Sequence, residues 1–393
     1  MQKLLIYISL LVFILGCKKE PIEQTPTFTK SFSARTGESM VAHFFTTFSN
    51  GDFLIVGRRV ISQNSAELYI LALDNPSGEV IAGYPKTFPI DAAVVPQAIV
   101  RLSNGGFALT GRKFGNQQTS DQGMLMVLDD QANLLPNYPV LFDVQQLREG
   151  TGIVQLPDGN LMMAGVAAPQ ANFGELALLK TDLSGKVVEG YPRIYRFQSG
   201  SIAHDLKLMD NNLVISGETW FPNRNSEGLV IMTDLNGVAQ TGFPLTRGST
   251  ESDWFVKALV NKQRITLVGF SIQPISFKKS IYIANLNNAS AINFEADQMH
   301  QFGVESEAVD IIQLDANNMV VLGVSRKTVS GDRDPVLLFL DSNGKITAES
   351  NALNSNRDQI PVGILPTEDK GLLIVAYDIS QIDVIKVKNN GQF

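Results

Sequence analysis

Three histidines, His43, His204 and His300, are the only imidazoles that this 393-residue chain offers for acid–base work. His204 stands next to Asp205, which suggests a dyad. Neighbours on a strand point to opposite faces, however, so the two side chains cannot bond as a catalytic pair. Four carboxylates occupy related places: Glu149, Asp253, Glu307 and Asp358 each lie seven residues before the end of an apolar segment. Gathered at the mouth of a channel, they would raise one another's pKa or attract a cation. The alternative reading is that each caps a turn or the backbone of a neighbouring repeat. No D-x-D-x-D-G calcium loop, P-loop or dinucleotide fingerprint is present. No catalytic residue, metal or cofactor is therefore assigned.

A second chemistry is aromatic. The chain has two tryptophans, Trp220 and Trp254, each followed by a phenylalanine, Phe221 and Phe255. Phe270 and Phe277 follow nearby. Large aromatic planes suit stacking on sugar rings or anchoring a protein partner. Trp220, Phe221, Trp254, Phe270 and Phe277 form the candidate ligand-binding set, provided that the fold brings them to one rim. The alternative is packing, with Trp254 filling a gap between repeats and Trp220 folded onto it.

Composition sets the frame for both. Apolar residues make up 44% and charged residues 18%, enough to build a core. The net charge of −7 argues against nucleic acid as a partner. Cys17 is the only cysteine, so no disulfide can form within the chain and packing must supply stability.

Residues 1–16 read as a signal peptide: Lys3 gives a positive start, and Leu4 to Leu15 is an apolar run interrupted only by Ser9. Twelve residues are too short to cross a bilayer, which takes about 20, and suit a signal core. Ile14-Leu15-Gly16-Cys17 resembles a bacterial lipobox, although Leu15 is larger than usual there. The resemblance implies cleavage before Cys17, lipidation of that residue and attachment to the outer membrane. Lys18-Lys19-Glu20 is similar to the charged tag that follows the lipidated cysteine in Bacteroidota surface lipoproteins. The alternative is ordinary secretion with an incidental cysteine. Residues 17–27, with Pro21 and Pro26, read as a short tether.

The elements that must position these residues are repeats. A glycine recurs after an apolar run at Gly57, Gly111, Gly165, Gly217, Gly269 and Gly323, with Ala376 in the seventh slot; the intervals are 54, 54, 52, 52, 54 and 53. Each unit reads as a first strand, a tight polar turn such as Asn50-Gly51 or Asp158-Gly159, and a continuous apolar run such as Phe53-Leu54-Ile55-Val56. Continuous apolarity means burial on both faces. A loop of variable length follows, then a third strand ending in an Asp-to-Gly turn, then a fourth strand with Gly83-Tyr84-Pro85, Asn137-Tyr138-Pro139, Gly190-Tyr191-Pro192 or Gly242-Phe243-Pro244. Four strands repeated seven times predict an all-β, seven-bladed propeller over residues 28–393. The last unit lacks a fourth strand, and Lys30-Ser31-Phe32 matches Lys86-Thr87-Phe88 of the first unit's fourth strand. The N-terminal strand is therefore expected to complete the last blade.

These units resemble a bacterial repeat of secreted propellers, best matched by Asp158-Gly159, Gly165, Lys180-Thr181-Asp182, Gly185 and Tyr191. The tryptophan frequent in that repeat's fourth strand is Tyr or Phe here. The boxes of sialidase-like propellers and the tryptophans of quinone-cofactor propellers are absent. The fold is compatible with many functions. The variable loops between second and third strands, Arg58 to Ala66, Glu218 to Glu227 and Phe270 to Lys279 among them, share a face with the connections between blades and are the expected binding surface. The leading expectation is a monomeric, membrane-anchored module that binds a protein or glycan without catalysis. The alternative is a glycan-processing enzyme working at the channel mouth.

Overall fold

The computed structural model describes residues 27–393 except 76, 117–118, 169–173, 198, 223, 250, 262–263, 288–292, 296, 352 and 354. The signal segment, Cys17 and nearly all of the tether lie outside the described residues. The chain enters through β1 (Phe28–Ser33). Blade one holds β2 (Ser39–Thr47), β3 (Phe53–Ser62), β4 (Ser65–Leu73) and β5 (Lys86–Asp91). Blade two holds β6 (Val94–Arg101), β7 (Phe107–Lys113), β8 (Gln122–Leu128) and β9 (Val140–Leu141). Blade three holds β10 (Glu149–Gln155), β11 (Leu161–Ala167), β12 (Glu175–Thr181) and β13 (Arg193–Tyr195). Blade four holds β14 (Ser201–Met209), β15 (Asn212–Phe221), β16 (Arg224–Asp234) and β17 (Leu245–Arg247). Blade five holds β18 (Ser252–Val260), β19 (Arg264–Ile272), β20 (Lys279–Asn287) and an outer strand in two pieces, β21 (Asn293–Phe294) and β22 (Gln298–His300). Blade six holds β23 (Glu305–Gln313), β24 (Asn318–Arg326), β25 (Arg333–Asp341) and β26 (Ile346–Ser350). Blade seven holds β27 (Ile360–Pro366), β28 (Leu372–Tyr377), β29 (Gln381–Val387) and, at its outer edge, β1.

The second and third strands are buried because each blade is packed between two others. All seven residues of β11 are buried, and Phe53, Leu54, Ile55 and Val56 of β3 have no exposed surface. One cluster joins Leu54 and Leu68 of blade one to Leu109 and Met126 of blade two, and six similar clusters carry the pattern round to blade seven against blade one. Each such fully buried side chain contributes about 1.5–3 kcal/mol. Closure is made by β1, which pairs with β29 from Phe28↔Lys386 to Ser33↔Gln381. This removes an open edge that would invite aggregation. The aromatic-proline segments lie just before the fourth strands, with Pro85, Pro139, Pro192 and Pro244 one residue ahead of β5, β9, β13 and β17. Nearby tyrosines reach the next blade: Tyr84 Oη donates to Gln131 O at 2.6 Å and Tyr195 Oη to Gly237 O at 2.6 Å.

Every innermost strand carries a bulge at the same place, at His43, Gln97, Thr151, His204, Val256, Val309 and Val362. The recurring glycine sits opposite it in blades one to six, and Ala376 does so in blade seven. There the bulged strand presses its carbonyl against the second strand, and a Cβ on Gly165 would stand 1.9 Å from Glu149 O. A side chain has no room there.

Candidate functional site

The face that carries the second-to-third-strand connections also receives the chain between blades. On this face strands run further than the sequence suggested. Trp220 and Phe221, expected in a loop, are the last residues of β15, which pairs with β16 out to Phe221↔Arg224. Blade one behaves likewise, with β3 and β4 meeting at Ser62 and Ser65. The long loops expected there are in these cases projecting hairpins, because the alternating polar residues continue the ladder instead of breaking it. Blade five keeps a true loop, from Gln273 to Lys278.

The predicted aromatic sector divides. Phe270 was expected in that loop but lies within β19 and is 5% exposed. Trp254 is half-buried in β18 between His204, stacked at 5.9 Å, and Phe270 at 4.9 Å, while its indole Nε1 donates to Ser226 Oγ at 2.9 Å. Its ring and its donor are thus engaged where blade four meets blade five. Trp220 is half-buried, and its backbone bonds to Gly200 O and Ser199 N tie it to the neighbouring connection. Phe221 is half-buried too and has an interaction partner. Phe277 alone among the five is free to solvent, 74% exposed at the tip of blade five's loop beside Ile275 at 93%.

The four repeated carboxylates lie at or near the starts of innermost strands. None lines the axial cavity. Glu149 accepts from Arg112 Nη1 at 3.0 Å, Glu307 from Lys279 Nζ at 2.6 Å and Asp358 from Arg333 Nη2 at 2.9 Å. Each of these cations belongs to the preceding blade. Asp253 is fully buried and accepts from the Ser249 N–H and hydroxyl, and burial pushes its carboxyl up from the usual range. The side chains thus act as staples between blades and as a turn cap. Only Asp253, on Ser249 N, and Asp358, on Arg333 N, cap backbone; Glu149 and Glu307 pair with a cation of the preceding blade instead.

The charges that do face the axis were missed. A cavity of about 270 Å³ is lined by residues from all seven innermost strands, including Asp205, Lys207, Lys257 and Asp310. Asp205 Oδ2 accepts from Ala258 N at 3.2 Å, and Asp310 Oδ2 accepts from Ile364 N at 3.1 Å. Each aspartate caps a backbone N–H of the next blade just past its bulge. Asp205, Lys257 and Asp310 recur at intervals of 52 and 53 residues, the repeat's own spacing. That signal was readable, but only once the bulge fixed which side chains turn inward. His43 also lines this cavity, and its imidazole is pushed down to about 4, first by burial and then by Arg58.

His204 retains one polar contact of interest. Its Nε2 lies 3.4 Å from Glu218 Oε1, and burial raises the Glu218 carboxyl above the usual range. The pair sits beside Trp254, below the long-loop face.

No protein family is matched by the sequence, and no curated protein is either. Solved structures match over nearly the whole chain. An ulvan lyase, a polysaccharide lyase bound to -[GlcA(1-4)Rha3S]-, aligns with a TM-score of 0.52 at 10% identity, covering 88% of this chain and 91% of that one. The β-propeller domain of the Trilobed protease from Pyrococcus furiosus aligns at 0.46 and 12% identity, covering 91% and 96%. Drosophila Semaphorin 1b, extracellular domains 1-2, aligns at 0.48 and 8% identity, covering 90% and 86%. The chain has a seven-bladed propeller fold. At such identity the likeness concerns architecture alone.

Proposed function

We propose that this protein is a lipid-anchored, extracytoplasmic propeller that binds a protein or glycan on its long-loop face without chemistry of its own. The observation that carries this reading is the exposed apolar tips on that face: Ile61, Phe114, Ile275, Phe277, Val329 and Ile379, on five blades. Ile275, Val329 and Ile379 are 93%, 81% and 76% exposed, whereas no large apolar side chain elsewhere among the described residues exceeds the 58% of Val238. Apolar tips on a rigid frame suit recognition. The carboxylates of Glu149, Glu307 and Asp358 are occupied in ion pairs between blades.

The entry point of the chain supports the orientation. Phe28 packs on Gly78 in blade one's third-to-fourth-strand turn, so the tether joins the propeller at the short-turn face. Cys17 lies eleven residues before Phe28, a reach of at most about 40 Å. An acylated Cys17 would hold the short-turn face towards the bilayer and leave the loop tips pointing away. The Bacteroidota-type tag after Cys17 favours the cell surface.

A second reading, a glycan-processing enzyme, is favoured by one arrangement: the His204–Glu218 pair beside an aromatic ring. The ulvan lyase adds a neighbour of the same architecture that acts on a polysaccharide. Pull-down from native membranes, run beside a glycan array, tests the binding reading. A ligand captured by wild type and lost with Ile275→Ser/Phe277→Ser supports it. Release of new reducing ends from a captured glycan, abolished by His204→Ala, would replace it with the enzyme. Cys17→Ala should move the protein out of the membrane fraction; retention there would overturn the anchor.

A further inference from the structure

We propose that the axial cavity is a binding site for a small carboxylate, held between the ammonium groups of Lys207 and Lys257. This site is separate from the loop rim and does not rest on the rim's role.

The two lysines are incompletely satisfied. Lys207 Nζ stands 3.4 Å from Asp205 Oδ2 and Lys257 Nζ 3.5 Å from Asp205 Oδ1, both at the long end of an ion-pair contact. One carboxylate thus serves two ammonium groups, each with three N–H donors. Asp205 also spends Oδ2 on the Ala258 N–H. The lysine side chains are 40% and 30% exposed, against 6% for Asp205. Both line the cavity, and among the described residues Asp205 is the only side chain paired with either Nζ.

The surrounding groups do not cancel the charge. Asp310 is engaged by the Ile311 and Ile364 N–H groups, and burial raises its carboxyl despite the pull of Lys257 and Lys207. His43 is neutral at pH 7. Asp310 spends both oxygens on backbone N–H groups and forms no ion pair with either lysine, so at contact distance two ammonium groups face one carboxylate, Asp205, a local positive excess of one. A monoanion balances it and a phosphate dianion would overshoot. The cavity of about 270 Å³ falls just below the usual ~300–1,000 Å³ of ligand pockets, which limits the guest to a small acid or a protruding acidic group.

Calorimetric titration of the mature protein tests this. The probes are acetate, as a bare carboxylate, and glucuronate, as a sugar acid. Glucose and inorganic phosphate are the uncharged and dianionic controls. Saturable binding of acetate or glucuronate is expected, with the tighter of the two identifying the guest as a free carboxylate or a sugar acid. Lys257→Met and Lys207→Met should each weaken it at least about tenfold while leaving a folded protein, since one lysine still balances Asp205. In the wild type, bound ligand should protect Lys207 and Lys257, but not exposed Lys278, from amine acetylation read by mass spectrometry. The proposal is overturned by no saturable binding, by glucose or phosphate binding as tightly as either carboxylate, by unchanged affinity in both folded variants, or by absent protection of the two lysines.

Discussion

A Cβ added to Gly269 would stand 1.7 Å from the carbonyl oxygen of Trp254. The clash is with backbone held by the bulge between Phe255 and Lys257, so no side-chain rotation relieves it. Gly269→Ala should therefore cost roughly 3 kcal/mol or more, read from the shift in urea unfolding midpoint. Ala376 faces Pro361 in the same slot of blade seven and already carries a Cβ. Ala376→Gly should cost no more than about 1 kcal/mol. Equal losses at the two positions would refute the bulge as the cause of the glycine repeat.

The fold was legible because its signals are periodic. Glycine spacing, turn residues such as Asp182 and Gly185, and the Lys30-Ser31-Phe32 match each point to one blade plan, and β1 pairs with β29 as that match required. The site was less legible for two physical reasons. Polar residues at Glu218 and Thr219 read as loop, yet they are buried strand residues, Thr219 bonded to Gly200 O and Glu218 set 3.4 Å from His204, contacts the sequence does not show. The bulge shifts which residues turn inward, so Asp205 and Asp310 face the axis while the carboxylates at 149, 253, 307 and 358 stay outside it.

Ring closure should depend on Asp383. It is fully buried and accepts from Arg357 Nη2 at 2.8 and 2.7 Å, Gln359 Nε2 at 3.0 Å and, across the closing seam, Ser31 Oγ at 2.7 Å. Asp383→Asn should cost about 1–3 kcal/mol. The carboxyl is held below the usual range by Arg357 and its other hydrogen-bond donors, which outweigh burial. Its stabilisation is thus complete above about pH 4 and is lost as pH falls through the lowered value. Acid unfolding of Asp383→Asn should show a smaller loss over that range than wild type.

His43 predicts a second pH effect, at higher pH. Its imidazole is held at about 4 in the folded protein, against about 6.5 when unfolded. Above pH 6.5 both states are neutral there and stability is unaffected. Between pH 6.5 and 4 the unfolded chain takes up the proton first, draining up to roughly 3 kcal/mol. His43→Gln should flatten urea midpoints across this window. An unchanged slope would mean that His43 titrates normally.

The last prediction separates packing aromatics from recognition aromatics in blades four and five. Trp254 touches His204 and Phe270 and spends its Nε1 on Ser226, so Trp254→Ala opens a cavity at the blade interface. A loss of about 2–4 kcal/mol follows, below the fully buried case because one edge reaches solvent. Phe277 and Ile275 stand in solvent at the loop tip, and their removal should leave the unfolding midpoint within about 0.5 kcal/mol of wild type. Trp220 lies between these cases, half-buried at the end of β15 with its backbone bonded on both sides. Trp220→Ala keeps those backbone bonds, so any binding lost at an unchanged melting temperature would assign its indole to recognition. A fall in stability comparable with Trp254→Ala would assign it to packing. The rim would then consist of the blade-five loop tip and the apolar tips of blades one, two, six and seven.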